Sequence, residues 1–264
     1  MPSSNRLLTM GASSGPVNMG IDEALATLCR DRATLRFYAW ETPTLSLGYA
    51  QRCDGINLTA CRASMVTLIR RPTGGRAVLH RQDLTYSLIL PLRPPWATCS
   101  IAESYRLINR CLRRGLEMLG VKASIWPRST VAHGALTPFC FPTIARDEIV
   151  VDGKKVIGSA QRRFPAGLLQ QGSILLDFDP GGILALVCDR ERAAAARALV
   201  TVGSLREALG RLPHRLEVEA AIRDGLAAEM EIEFTHGGLE PEEFELSRYL
   251  AATRYGSQRW TSRF

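Results

Sequence analysis

The apolar residues Met19, Ile21, Ala24, Leu25 and Leu28 fall near helical spacing, which predicts an amphipathic helix from Pro16 to about Arg30 with Asp22 and Glu23 on its polar face. Two strands follow, Thr34 to Trp40 and Thr44 to Tyr49, divided by the turn signal Thr42-Pro43. A short helix around Ile56 to Ala63 leads to Met65 to Ile69, an apolar and partly β-branched strand that the loop Pro72 to Arg76 breaks. Strand character returns at Ala77 to Leu79 and Leu84 to Leu90, so strands frame a glycine-bearing loop.

The clearest periodicity lies between Ser100 and Leu119. Ile101, Tyr105, Ile108, Leu112, Leu116 and Leu119 form one stripe with arginines opposite, and Gly120 is placed to end the helix. Residues 126–141 have little regular pattern and read as a loop. Glu148 to Val151, Lys155 to Gln161 and Gly167 to Phe178 then read as an antiparallel meander, joined at Asp152-Gly153 and Pro165-Ala166-Gly167. Beyond Pro180-Gly181-Gly182 the chain turns mainly helical, with helices expected at Ser204 to Leu209, Leu216 to Met230 and Glu242 to Thr253. Hairpins mixed with helices, without regular βαβ alternation, predict the α+β class: mixed, largely antiparallel β-sheets sandwiched with helices. No internal repeat or low-complexity linker divides the chain, so residues 1–264 are expected to form a single domain with a mainly helical segment from about 180.

Composition narrows the function classes. With 46% hydrophobic and 22% charged residues the chain has an ordinary globular balance. The opening MPSSNRLLTMGASSG lacks a basic head followed by an apolar run, and no uninterrupted apolar stretch is long enough to span a bilayer, so a cytoplasmic protein without a membrane partner is expected. The seven cysteines are scattered, without CxxC pairs or metal-ligand spacing to the four histidines; reduced thiols and no metal are expected. All but Cys140 read as packing residues on apolar stripes. A net charge of +7 would attract an acidic partner. Nucleic acid is disfavoured as that partner, because the arginines are spread along the chain and only 7% of residues are aromatic.

Three segments carry candidate chemistry. In RRPTGGRAVLH, residues 70 to 80, Gly74 and Gly75 permit positive φ and close approach of backbone N–H groups to a ligand, with Arg70, Arg71 and Arg76 around them and His80 at the end. A phosphate, a carboxylate or a polarised carbonyl would suit such a loop; a hairpin turn with solvated arginines is the other reading. In DGKKVIGSAQRR, residues 152 to 163, strand alternation turns one of Lys154 and Lys155 inward, where it demands an anionic partner. Gly158, Ser159 and Ala160 leave room for a ligand beside it, while a hairpin start with two solvated lysines is the alternative. Cys140, in TPFCFPT, lies outside any helical or strand stripe and is either a loop-borne nucleophile or a packing residue.

Taken in order, RRPTGGRAVLH, CFPT, GKKVIGSAQRR and LLQQGSILLD, with the near-terminal YGSQRW, resemble the biotin/lipoate protein ligase superfamily over nearly the whole chain, and specifically its LipM-type octanoyltransferases. The resemblance implies the biotin/lipoate ligase catalytic fold, similar to class II synthetases, as a monomer. It also implies transfer of an octanoyl group from octanoyl acyl carrier protein to a lysine of a lipoyl-domain protein, such as glycine cleavage protein H or a 2-oxoacid dehydrogenase subunit. Cys140 matches the family's nucleophile and Lys155 its pocket lysine; Arg71, Gly74, Gly75, Arg76, His80, Gly158, Ser159 and Ala160 match the substrate site, with His80 orienting its loop. ATP-dependent lipoate ligases of the same fold usually carry a third glycine where Arg76 stands, which would crowd a nucleotide phosphate and favours a thioester donor with no cofactor. Two departures stand out. The family commonly places an aspartate directly after the motif histidine, where this chain has Arg81 and reaches Asp83 only later, and Gln171 stands where a histidine is frequent. A cysteine, a lysine and the loop retained together argue against a binding module without catalysis.

Overall fold

The computed structural model describes residues 4–127, 138–142 and 146–263. Most of the expected 126–141 loop, and Thr137 and Thr143 of TPFCFPT, lie outside them. The chain begins with a strand the hydrophobic pattern does not announce, β1 (Asn5–Ser13), in which adjacent Leu7 and Leu8 are buried on opposite faces. Then come α1 (Gly15–Thr27), β2 (Thr34–Trp40), β3 (Thr44–Leu47), α2 (Leu58–Ala63), β4 (Thr67–Arg70), β5 (Val78–His80) and β6 (Asp83–Pro91). The middle holds α3 (Ile101–Met118), β7 (Ala123–Ile125), β8 (Ile149–Val151), β9 (Lys154–Lys155), β10 (Ile157–Arg163) and β11 (Gly167–Leu175). The last third is α4 (Pro180–Leu184), α5 (Asp189–Leu199), α6 (Leu205–Leu209), α7 (Arg215–Met230), β12 (Phe234–His236), α8 (Pro241–Leu250), a π-helical turn (Ala251–Tyr255) and α9 (Gln258–Thr261).

The mixed α+β class is as expected. Six strands form the main sheet in the order β10-β11-β6-β2-β1-β12, antiparallel from β10 to β2 and parallel from β2 to β12. Alternate residues serve opposite faces. Leu35 and Phe37 of β2, Leu84, Tyr86 and Leu88 of β6 and Leu168 and Ile174 of β11 meet Ile108, Leu112 and Leu116 of α3 and Val218, Ile222 and Leu226 of α7. On the other face Ile21 and Leu25 of α1 pack on Leu8, Ile89 and Leu169. The α3 boundary follows from its capping box, in which the Ser100 hydroxyl accepts from Glu103 N at 3.2 Å and the Glu103 carboxylate accepts from Ser100 N at 2.8 Å. Ile101, expected on the buried stripe, sits in that first turn and is exposed.

Several expectations are corrected. Helix α1 has no solvated polar face, because Leu250 of α8 and Tyr255 of the π turn cover its outer side. Asp22 is therefore fully buried and ion-paired to Arg36, and Glu23 is bound by Arg254 and Tyr255. The strands framing the glycine loop do not make a hairpin: β4 and β5 lie on opposite sides of β3, parallel and antiparallel to it, so the loop crosses the end of that strand. The meander changes sheets at Val156, since β8 pairs with β7 and β9 in a separate three-stranded sheet while β10 and β11 join the main sheet. Of the cysteines expected on stripes, Cys61 and Cys111 sit on helices, whereas Cys29, Cys53, Cys99 and Cys188 lie in connecting segments. Among the described residues, no helix is long and apolar enough to cross a membrane.

Candidate active site

The glycine loop is held from inside by its own arginines. Arg71 is buried, and its guanidinium donates to the Ser46 carbonyl at 2.8 Å, to Gly74 O at 2.6 Å and to Arg76 O at 2.8 Å. Arg70 points the other way, donating to Gly48 O and Gln51 O, each at 2.7 Å, and to Thr261 O at 2.8 Å. The near-terminal motif answers it, with Trp260 Nε1 donating to Arg70 O at 2.9 Å. Carbonyl oxygens take up these guanidinium hydrogen bonds, so both arginines shape the loop from inside, and Arg71 also lies on the wall of the cleft. Gly75 has φ +85°, and a Cβ there would stand 2.9 Å from Arg71 Nη2 and 4.0 Å from Cys140 Sγ. The second glycine is thus required by conformation and by space, and it lies against the cysteine.

Cys140 follows a bridge in which Phe139 pairs with Ala77, Ala77 N donates to Pro138 O at 3.0 Å and Cys140 N donates to Ala77 O at 2.9 Å. Phe139 and Phe141 are buried to either side. The described part of the expected loop is therefore irregular apart from this isolated bridge, with two buried rings as anchors and the thiol on the wall of a cleft.

Lys155 is the inward lysine. The β8–β9 turn has Asp152 at φ 48° and Gly153 at φ 76°, the left-handed pair that a tight hairpin needs, and its register sets Lys155 opposite Val150 and Lys154 opposite Val151. Lys154 goes outward to Glu207. Lys155, with no exposed surface, places Nζ 2.6 Å from Glu148 Oε1 and 3.9 Å from Cys140 Sγ. Burial pushes its ammonium toward neutrality, but the negative charge available at Cys140 and Glu148 outweighs it and holds the pKa above its ordinary value. The anionic partner demanded by an inward lysine is Glu148, which sequence reasoning did not find because only the hairpin register brings it there.

Sheet register builds the rest of the cleft. Ser173 pairs with Thr85 on one side and Gly158 on the other, Gln171 with Ser87 and Ala160, and Thr85 also faces Tyr38 across β2. This polar row lies on the face covered by α1. Arg71, His80, Cys140, Gly158, Ser159 and Ala160 are all on the wall of one narrow cleft. Lys155 reaches Cys140 from behind, and Gly74, Gly75 and Arg76 are outside the wall. The Ser159 hydroxyl turns to the α3 side, 2.8 Å from Tyr86 Oη.

His80 stacks on Trp40 with ring centroids 4.2 Å apart, and its nitrogens are 2.8 Å from Asp83 Oδ2 and 2.9 Å from Ser46 Oγ. Asp83 thus stands beside the imidazole although it is three residues on. Burial raises the Asp83 pKa, but His80, Ser173 and Thr85 together outweigh burial and hold it below the usual carboxylate value. Gln171, at the other departure, accepts from Thr73 Oγ1 and donates to Asp22 Oδ2, both at 2.7 Å, so it ties the loop to α1. Asp22 also receives Arg36, Tyr38 and Ser87. Ser46, Trp40 and Asp22 carry no local sequence signal, since each acts through a partner on another element. Among the described residues, no group of three or more His, Cys, Asp or Glu is placed to hold a metal ion.

The chain is similar to known proteins over nearly its whole length. The profile of the lipoyl protein ligase A/B catalytic domain matches residues 14–227. The octanoyltransferase LipM of Kyrpidia tusciae is 38% identical, with 98% of both chains covered, and that of Bacillus subtilis is 34% identical, with 97% of this chain and 96% of the relative covered. In structure, a bipartite lipoate protein ligase studied with its E2 lipoyl domain from Thermoplasma acidophilum superposes with a TM-score of 0.83 at 21% identity, covering 98% of this chain and 96% of the other. A lipoate-protein ligase A bound with ATP gives 0.82 at 22%, covering 98% and 99%. The structures share the fold, and the family match together with the full-length relatives decides membership: this chain belongs to the lipoyl protein ligase A/B catalytic domain family.

Proposed function

We propose that the protein is an octanoyltransferase of lipoate biosynthesis, moving an octanoyl group from acyl carrier protein to a lysine of a lipoyl domain through a thioester on Cys140. The observation that carries the reading is Cys140 Sγ 3.9 Å from the buried Lys155 ammonium, on the wall of a cleft beside the glycine loop. In the first half-reaction the cysteine sulfur attacks the carrier thioester carbon; the new S–C bond forms, the bond to the carrier sulfur breaks, and the carrier leaves as a thiol. An ammonium at this range favours negative charge on the attacking sulfur and on the carbonyl oxygen as the carbon becomes tetrahedral. The acceptor lysine then displaces the cysteine.

A thioester donor is already activated, so the reaction needs neither nucleotide nor metal. Arg76 in place of a third glycine favours this chemistry over adenylation. The net charge of +7 suits an acidic carrier protein through electrostatic steering. Glycine cleavage protein H and 2-oxoacid dehydrogenase subunits are the acceptors of the right class. The whole chain acts as one cytoplasmic catalytic domain, as a monomer, with the mainly helical segment from about 180 included.

The test is incubation with octanoyl acyl carrier protein without ATP, followed by mass spectrometry. One octanoyl mass on Cys140, removable by hydroxylamine and passed to a lipoyl domain, is expected. Undiminished transfer by Cys140→Ala would overturn the reading, and modification that requires free lipoate and ATP would make the chain a ligase.

A further inference from the structure

The second half-reaction poses a problem that Cys140 and Lys155 do not solve. An acceptor lysine arrives as an ammonium and must lose a proton before its nitrogen can attack the octanoyl carbon. Lys155 is a poor acceptor for that proton: Glu148 sits 2.6 Å away, and this ion pair remains when Cys140 is acylated. Tyr38, also on the cleft wall, is buried beside Asp22 and stays a neutral phenol. Arg71 is a guanidinium and has no lone pair to offer. Among the described titratable residues of the wall this leaves His80, whose imidazole has a ring nitrogen able to accept a proton.

The hydrogen bonds around His80 have a direction. Asp83 is an ionised carboxylate and can only accept, so the contact of 2.8 Å puts a proton on His80 Nδ1. In the neutral imidazole Nε2 is then an acceptor, and the Ser46 hydroxyl at 2.9 Å donates to it. Arg71 Nη1, at 3.2 Å, donates to the Ser46 oxygen and orients it. Thr85 and Ser173 hold the same Asp83 oxygen at 2.9 and 2.7 Å, and Trp40 fixes the ring plane. Ser46 and His80 open onto the same cleft as Cys140.

We infer that Ser46, His80 and Asp83 form a proton relay for the transfer step. It rests on the acyl-Cys140 reading. The lysine proton passes to the Ser46 oxygen as the Ser46 proton moves to His80 Nε2, and Asp83 stabilises the resulting imidazolium. The lysine nitrogen forms its bond to the octanoyl carbon, the carbon–sulfur bond to Cys140 breaks, and the second proton of the nitrogen passes to the departing sulfur, which leaves as the Cys140 thiol after Lys155 has stabilised its developing charge.

The experiment separates the half-reactions. Octanoyl-enzyme is prepared from octanoyl acyl carrier protein with wild type, His80→Asn and Ser46→Ala, and each is chased with a lipoyl domain or with hydroxylamine, which is already unprotonated at neutral pH. Transfer to the lipoyl lysine is expected to fall in His80→Asn by roughly 10²–10⁴ beyond any change in loading and hydroxylamine discharge measured with the same variant, the span of general-base catalysis. Raising the pH toward the lysine pKa should restore it. If loading also falls in His80→Asn, Ser46→Ala carries the comparison, with selective loss of lysine transfer again expected. Normal lysine transfer by His80→Asn, or equal loss of all three steps in both variants, overturns the relay and leaves the Cys140 reading intact. A wild-type protein that never becomes acylated overturns both.

Discussion

Replacing Glu148 by glutamine tests the electrostatics on which the whole site depends. The change keeps size and one oxygen acceptor but removes the counter-charge from an ammonium with no exposed surface. At 2.6 Å the pair attracts with about 6 kcal/mol at an effective dielectric of 20. The observable loss is capped, because a stranded lysine discharges instead. From its ordinary value of 10.5, losing the proton at pH 7 costs about 5 kcal/mol. The expected loss of stability is therefore about 3–5 kcal/mol, the usual result of removing one partner of a buried pair. Urea unfolding reads this as a midpoint lower by about 1 to 1.7 M for a slope near 3 kcal/mol/M. In the wild type the raised Lys155 pKa contributes stability that is complete below 10.5 and is lost as pH climbs through the folded value. The variant behaves oppositely: with Lys155 discharged, its deficit shrinks by about 1.4 kcal/mol for each pH unit above 7, since the unfolded chain binds the extra proton. Adding Lys155→Met should recover much of the loss, because the pair is then absent rather than broken. A cost below 1 kcal/mol, additive single and double variants, or a deficit that grows with pH would refute the assignment of Glu148 as the counter-ion.

Gly75→Ala should destabilise the chain by about 1–2 kcal/mol from its φ of +85° and slow acyl loading of Cys140 by up to about 100-fold, as its methyl meets Arg71 Nη2 at 2.9 Å. Gly74→Ala meets no atom within 4 Å and should change stability by no more than about 0.5 kcal/mol, so matched melts and loading rates separate the two glycines. Asp22→Asn leaves the fully buried Arg36 guanidinium without its carboxylate and should cost about 3–5 kcal/mol in urea unfolding. For Asp83, whose pKa is lowered, the stabilisation is present above its ordinary 3.8 and is lost as pH falls through the folded value. Asp83→Asn should flatten that acid limb in melts between pH 2 and 6.

Strand and helix periods settled much by themselves: the α+β class, the α3 helix and the Asp152-Gly153 turn follow from local pattern and backbone chemistry, whereas the inward turn of one lysine was one of two readings until the structure chose it. The candidate site residues Cys140, Lys155, Arg71 and His80 were singled out because ordered motifs resemble a family, and the structure brings them together around one cleft. Of their partners only Asp83, three residues past His80, was suggested by its place in the motif. Glu148 reaches Lys155 only through hairpin register, Ser46 reaches His80 through the pairing of β3 with β5, and Gln171 reaches Asp22 because α1 covers that face of the sheet. Periodicity also misplaced Asp22 and Glu23, because a polar position on a helix says nothing about whether α8 will cover it. Local sequence decides which way a side chain points along its own element; which charge it meets there depends on elements brought together from far along the chain, and only tertiary packing supplies that.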